Sequence, residues 1–375
     1  MRRSTTVAAI AAAGLVVLLS PPVQAHADSI RDREWIISAL DLTTAHRYSQ
    51  GRGVVVAVID TGVDATHHDL AGNVLSGADF SDGDVSTGNG HTDLVGHGTG
   101  VAGIIAGHGH GPHDEDGVLG VAPQAKILPV RDGLDIGFGI TPAVKWATSH
   151  GAQVICIAQG DVLGGNLPDL DTAIEAAEDA NIVVVAAAGN VPIENRVGLP
   201  AALPGVIAAA GTDENGNHAL VSVTGSQVVI AAPATDVVQP FPNHRYAVGT
   251  GTSVSAAVIA GAAALIRSRF PKLSAKEVVD RLTATAIDKG PPGRDFEYGY
   301  GLVNIVGALT ATIPSSGVSP SAPRTVASTS PKTSARHSVA PHAGDHKTAA
   351  EVGVVAAIFV VGVALAWVLK HRHNR

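Results

Sequence analysis

Six apolar runs constrain what this chain can fold into. They are Val54–Ile59, Ile127–Val130, Val154–Ala158, Ile182–Ala187, Val206–Ala210 and Val228–Ala231. A strand buried on one face alternates apolar with polar residues, whereas a strand buried on both faces reads as a continuous run like these. Helical patterns lie between several of them, Pro142–Ser149 and Leu170–Ala180 among others. Strand and helix in alternation predict an α/β domain with a mainly parallel sheet and helices on both faces. In such sheets, sites form beyond the carboxyl ends of the strands. Thr252–Arg269 reads as a further helix, apolar nearly all round and stopped before Pro271, and therefore central. Gly98–Ala106 is rich in Gly, Ala and Val, which permits close backbone approach.

Apolar residues make up 45% of the 375, but two apolar stretches do not belong to this core. Val7–Leu19 follows Arg2 and Arg3 and precedes Ala25-His26-Ala27, the layout of a signal peptide over residues 1–27. Val352–Leu369 is uncharged and, at about 18 residues, approaches the length of a spanning helix. The sequence therefore predicts a transmembrane helix over 349–369 and a basic cytoplasmic tail over 370–375, oriented by Lys370, Arg372 and Arg375. Residues 314–348, rich in Pro, Ser and Thr, read as an extended linker, residues 28–52 as a short lead-in, and 53–313 as one domain. The expected location is the cell membrane, single-pass, with the domain on the extracytoplasmic side. A net charge of −8 argues against a nucleic-acid partner. The single cysteine, Cys156, excludes an intrachain disulfide and reads as a buried strand residue.

Three segments carry chemistry: VAVIDTGVD around Asp60, GHGTGVAGIIAG around His97 and GTSVSA around Ser253. A hydroxyl is a poor nucleophile at neutral pH and needs an adjacent base, and the base needs an orienting partner. The order Asp, His, Ser matches one of the known arrangements of a hydrolytic triad. Ser253 is the expected nucleophile, His97 the general base and Asp60 the group that fixes the imidazole. Asn190, in VVVAAAGN, is the expected oxyanion donor, together with the Ser253 N–H at a helix start. Each residue alone has an ordinary structural explanation; the conjunction of four motifs in one order does not.

These segments resemble the subtilase superfamily of serine proteases over Gly53–Ile313. The lead-in EWIISALDLTTAHRYSQGRGVVVAVIDTGV, the stalk and the C-terminal apolar run are most similar to mycosins, the membrane-anchored subtilases of type VII secretion systems. The resemblance implies a subtilisin-like fold and hydrolysis of protein or peptide substrates through an acyl-enzyme. It also implies substrate binding at Ala158, Gln159, Gly160, Ala188 and Gly189, and association with type VII secretion machinery. A structural subunit of a secretion complex, with catalysis secondary, is the alternative. The lead-in is too short for the folding pro-domain of many secreted relatives. Family segments of the form G-T-S-x-A-x-P become GTSVSAA here, with Ser255 and Ala257. Gly100 stands where many relatives have His, and CIAQG replaces a strand end of Ser-Leu-Gly.

No cofactor is expected. His108, His110, His113 and Asp114 read as a solvated, Gly-rich insertion rather than a metal site. Asp79, Asp82, Asp84 and Asn89 cluster oxygens but lack the spacing of a calcium loop, so structural calcium is unsupported. His67 and His68 read as surface structure. Gly160–Gly165 lacks a P-loop lysine, so no phosphate site is expected.

Overall fold

Six of the seven strands of the central sheet coincide with the apolar runs. The computed structural model describes residues 30–83, 86–132, 139–159 and 169–313. In chain order these hold α1 (Trp35–Ala39), α2 (Leu42–Ala45), β1 (Val55–Asp60), β2 (Ala78–Asp79), α3 (His97–Ala106), β3 (His108–His110), β4 (Asp116–Leu119) and β5 (Lys126–Arg131). There follow α4 (Ile140–Ser149), β6 (Val154–Ile157), α5 (Leu170–Asp179), β7 (Val183–Ala187), β8 (Val206–Thr212), β9 (Val228–Pro233), β10 (Val237–Phe241) and β11 (Arg245–Gly249). Helices α6 (Thr252–Arg269), α7 (Ala275–Ala284) and α8 (Ile305–Thr310) complete the domain. The signal-peptide, linker, membrane-span and tail expectations fall outside the described residues. Among the described residues, no helix is long and apolar enough to cross a membrane.

The sheet is parallel throughout, in the order β2-β5-β1-β6-β7-β8-β9. Its strands bury both faces, and alternate residues feed two separate cores. Val56, Val58, Val154, Cys156, Val183 and Val185 join α3 and α6 on one side. Ala57, Ile59, Ile155, Ile157, Val184 and Ala186 join α4 and α5 on the other. Burial of these side chains contributes about 1.5–3 kcal/mol each for the larger aliphatics. Helix α6 is buried nearly all round, as its composition requires. Burial pushes the Cys156 thiol up, so it stays protonated and inert.

Two hairpins escape a reading for continuous apolar runs. The β3–β4 hairpin holds His108 and His110 in paired strand, while His113 and Asp114, in the turn that joins its strands, are exposed as a solvated insertion predicts. The β10–β11 hairpin lies on α3, where a Cβ on Gly103 would fall 2.2 Å from Pro240 Cδ. Gly100 faces the end of the Gln239 side chain, its would-be Cβ 2.6 Å from Gln239 Cδ.

The lead-in contributes Ile36, Leu40, Leu42 and Ala45 to the first core. It is also tied by polar contacts. Both Glu34 carboxyl oxygens accept from Leu119 N–H at 3.1 Å, and Arg31 Nε donates to Gly117 O at 2.9 Å. Burial raises the Glu34 carboxyl to about 8, outweighing the Leu119 hydrogen bond and Arg31, 3.0 Å away, which both favour the charge. An acid whose pKa is raised by folding stabilises the fold fully below its unfolded value near 4.5, and that stability is lost as pH climbs to about 8. Glu34→Gln is therefore expected to flatten the decline in Tm between pH 5 and 9. Parallel Tm–pH curves for the two proteins would refute this.

Candidate active site

Strand β1 delivers Asp60 to the carboxyl edge of the sheet, where it is 1% exposed. Its Oδ1 accepts from Thr61 N–H at 2.7 Å. Its two carboxyl oxygens lie 2.8 and 2.9 Å from His97 Nδ1. A carboxylate can only accept, so Nδ1 holds the ring proton and Nε2 is left as the basic nitrogen. Burial presses the His97 pKa down, but the charge and hydrogen bond of Asp60, with the charge of Asp93, outweigh it and raise the pKa above 6.5.

His97 is the first residue of α3, and the loop before it is organised by Asp93. Asp93 Oδ1 accepts from the N–H groups of Val95 (3.0 Å) and Gly96 (2.7 Å) and from the Thr61 hydroxyl (2.9 Å). Its Oδ2 accepts from Thr99 N–H at 2.9 Å and the Thr99 hydroxyl at 2.6 Å. Thr61 Oγ1 accepts from Gly98 N–H at 2.9 Å, so β1 and the start of α3 are joined by one network. These contacts satisfy N–H groups that a helix start leaves without partners. Close approach requires glycine at position 98, where a Cβ would sit 2.1 Å from Gly62 O.

Ser253 is the second residue of α6, which packs against α3. The turn into α6 uses Gly251 at φ 153°, a backbone region open essentially to glycine. A Cβ on Gly251 would meet Asn190 Oδ1 at 3.3 Å and Ser253 Oγ at 3.4 Å, so Asn190 and Ser253 border one small space. Asn190 lies just past β7. Its Oδ1 accepts from Thr252 N–H at 2.9 Å and from the Thr252 hydroxyl at 3.2 Å. A backbone N–H can only donate, so this contact fixes the amide orientation and turns Nδ2 to the other side. Asn190→Ala is expected to lower kcat about 100- to 1,000-fold with little change in KM, checked on a chromogenic peptide. A loss below about threefold would contradict that role.

Two strand ends flank Asp60. Asp132 follows β5, is buried, and donates its N–H to Asp60 O at 3.1 Å. Gln159 follows β6 and donates through Nε2 to Asp132 Oδ2. Burial, and then the charge of Asp60, raise the Asp132 carboxyl well above the usual range.

The chain from residue 51 to 301 matches the family model of peptidase S8, described as the Subtilase family. This chain is a subtilase. It is 38% identical over 266 residues to Subtilisin DY of Bacillus licheniformis, covering 69% of this chain and 92% of the relative. It is 37% identical over 277 residues to Subtilisin BL of Lederbergia lenta, covering 72% and 96%. Among solved structures, MycP1 from Mycobacterium smegmatis superposes with a TM-score of 0.66 at 30% identity, over 76% of this chain and 86% of the other. MycP3 protease from the type VII (ESX-3) secretion system gives 0.61 at 33% identity, over 74% and 88%. The fold is thus subtilisin-like, and the protein is a subtilisin-like serine protease with close structural similarity to mycosins.

The remaining candidates fall unevenly in this subtilase. Ala158 is 2% exposed and Ala188 is 0% exposed, so neither side chain is open to a ligand. Gly189 donates its N–H to Thr252 Oγ1 at 3.1 Å. Gly160 and Asp84 lie outside the described residues. Asp79 is engaged by Arg131 at 2.9 Å and by Ser81 N–H at 3.0 Å. Among the described residues, no group of His, Cys, Asp or Glu is arranged to hold a metal ion. His67 corrects a surface reading: it is fully buried, because Nδ1 accepts from Asp69 N–H at 3.2 Å and Nε2 donates to Arg245 O at 3.0 Å. His68 is exposed and stacks on His244 with ring centroids 3.9 Å apart. Ser255, in place of alanine, is buried and donates to Ala232 O at 3.0 Å, tying α6 to β9.

Proposed function

We propose that this subtilase is an extracytoplasmic serine endopeptidase that cleaves exported proteins through an acyl-enzyme, using Asp60, His97 and Ser253 as its triad. The observation that carries the reading is the Asp60–His97 pair at 2.8 Å; the Asn190 amide, its oxygen committed to Thr252, borders one small space with Ser253 Oγ and supports it. Ser253 Oγ attacks the scissile carbonyl carbon while His97 Nε2 takes its proton. Negative charge then develops on the carbonyl oxygen, where Asn190 Nδ2 and the Ser253 N–H donate to it. As the C–N bond breaks, His97 returns the proton to the leaving amine. A water, deprotonated by the same nitrogen, releases the acyl group. No metal or cofactor enters these steps.

Neutral His97 is the active form, and its pKa is raised. The acidic limb of kcat/KM is therefore expected above pH 6.5, the ordinary imidazole value. A limb below that value would overturn the assignment of His97 as base.

The apolar run Val352–Leu369 and the basic residues after it support anchoring in the cell membrane with the catalytic domain outside. The likeness to MycP1 and MycP3 supports association with a type VII secretion system. The decisive experiment exposes membranes carrying the protein to a fluorophosphonate probe, with Ser253→Ala as control. Labelling of the wild type alone supports the reading; folded protein that fails to label refutes it. One MycP1 is described as an essential component of its secretion system, which favours a second, structural role. Full rescue of secretion by Ser253→Ala in a deletion strain would show that this role suffices.

A further inference from the structure

The turn of the β10–β11 hairpin reaches the loops that hold the triad. Phe241 ends β10, and its ring fills the space that a side chain at Gly96 would take, one residue before His97. Asn243 N–H donates to Asp64 Oδ2 at 2.9 Å, and Asp64 N–H donates to Thr99 Oγ1 on α3 at 3.0 Å. Arg245 O accepts from His67 Nε2 at 3.0 Å. The turn thus abuts both the segment that follows Asp60 and the loop that leads into His97.

One contact of this turn is an imidazole pair. His68 and His244 are both exposed, and their rings stack with centroids 3.9 Å apart and planes 20° from parallel. Neutral aromatic rings stack favourably, and a charged ring is still attracted to the face of a neutral one. Two imidazolium rings at this distance repel. The His110 ring, 5.3 Å from that of His68, adds to the crowding. The nearby carboxylates are engaged elsewhere. Asp69 accepts from Val118 N–H at 2.8 Å and from the Tyr246 hydroxyl, and lies 2.6 Å from His110 Nδ1. Asp64 accepts from Thr66 N–H and hydroxyl as well as from Asn243. On the hairpin, Arg245 adds positive charge, its guanidinium 4.7 Å from the Phe241 ring centre. Buried His67 lies 5.9 Å from His244, and Glu34 and Arg31 act on the same group through Asp69 and Tyr246. The His68 pKa is lowered, first by the partial burial of its ring and then by His244 and His110, against the pull of Asp69.

We propose that the His68–His244 stack is an acid-labile clamp: with at most one ring charged it holds the hairpin turn against Asp64 and Gly96, and with both charged it releases the turn and its support of His97. A base whose protonation the folded state resists contributes stability that is present above its ordinary value of about 6.5 and is lost as pH falls below it. Protonation of His97 alone costs about tenfold in kcat/KM per pH unit on the acidic limb. Release of the clamp takes up further protons, so activity falls more steeply once both rings are charged.

The loss of activity rests on the protease reading, whereas the release of the turn does not, and the experiment follows both. Wild type, His68→Phe and His244→Asn are compared between about pH 4.5 and 7.5. Phenylalanine keeps a ring for His244 to stack on but takes no proton. Asparagine tolerates the left-handed backbone at position 244, φ 58°, and removes the other charge. Amide hydrogen exchange is read at Asn243, corrected for its intrinsic pH dependence, and kcat/KM is read on a chromogenic peptide. In the wild type, protection of Asn243 is expected to fall at least tenfold from about pH 7 to 5, and kcat/KM to fall more than tenfold per unit below about pH 6. In both variants protection changes less than about threefold over that range, and kcat/KM falls about tenfold per unit. Hydrogen bonds hold the Asp64 carboxyl below the usual range despite its partial burial, so Asp64 stays charged and does not itself release Asn243. Equal loss of protection in wild type and His68→Phe would overturn the clamp and assign the titration to another group. Release of the turn in a wild type whose activity falls only about tenfold per unit would overturn its hold on His97. The expected exchange pattern in a protein without peptidase activity would remove the protease reading and leave the clamp standing.

Discussion

Replacing Ser253 with alanine is expected to lower kcat by about 10⁶-fold, the size of the loss at the nucleophilic serine of subtilisin. The change deletes one hydroxyl at the start of α6. The polypeptide around it is held by other atoms: Thr252 binds Gly189 and Asn190, and Ser255 binds Ala232. Tm should accordingly move by less than a few degrees, the range for a loss of about 1 kcal/mol or less. The variant separates chemistry from folding, and kcat and Tm should be measured on the same preparation. Retention of more than about 1% of wild-type turnover would mean that another group serves as nucleophile.

The second large effect belongs to Asp60→Asn, with an expected loss of about 10⁴-fold in kcat. The size of this loss comes from proton placement rather than from removal of bulk. In the wild type, both oxygens face Nδ1 and both can only accept. An asparagine brings an NH₂ group to the same place, and when that group donates to Nδ1 the ring proton moves to Nε2, where the base must be free. The negative charge that raises the His97 pKa is lost as well. The residual activity should therefore show an acidic limb shifted to lower pH. An unshifted limb would mean that Asp60 does not govern the imidazole.

The sequence makes the sheet legible because strands buried on both faces have no polar residue to spare. Val154–Ile157 and Val183–Ala187 show this directly. The hairpins are not legible by the same rule. Strand β10 contains Pro240, and no residue of β11 is fully buried. Asp60, His97 and Ser253 stand out because glycines and threonines frame each of them, and Asn190 because Gly189 precedes it at the end of an apolar run. Asp93 was missed, although an acidic residue shortly before a helix start is a usual capping signal. Asp132 had no such signal. A lone aspartate after a strand looks like a turn residue, and only the crossing of the chain from β5 over β1 to β6 sets it beside Asp60. Glu34 is a similar case, since nothing local in the lead-in marks it as buried against Leu119.

The seat of the β10–β11 hairpin on α3 has a consequence for any exchange of parts among subtilases. Gly100 leaves room for Gln239, and β11 runs on through Thr250 and Gly251 into Ser253. The helix that carries His97 and the segment that leads into Ser253 are thus fitted to one another through a shared ribbon. A chimera that brings in a histidine helix with a larger residue at position 100 has to turn the Gln239 side chain aside, and one with a larger residue at position 103 meets the rigid ring of Pro240. The two pieces are therefore fitted as one module, and their joint transfer keeps that seat intact.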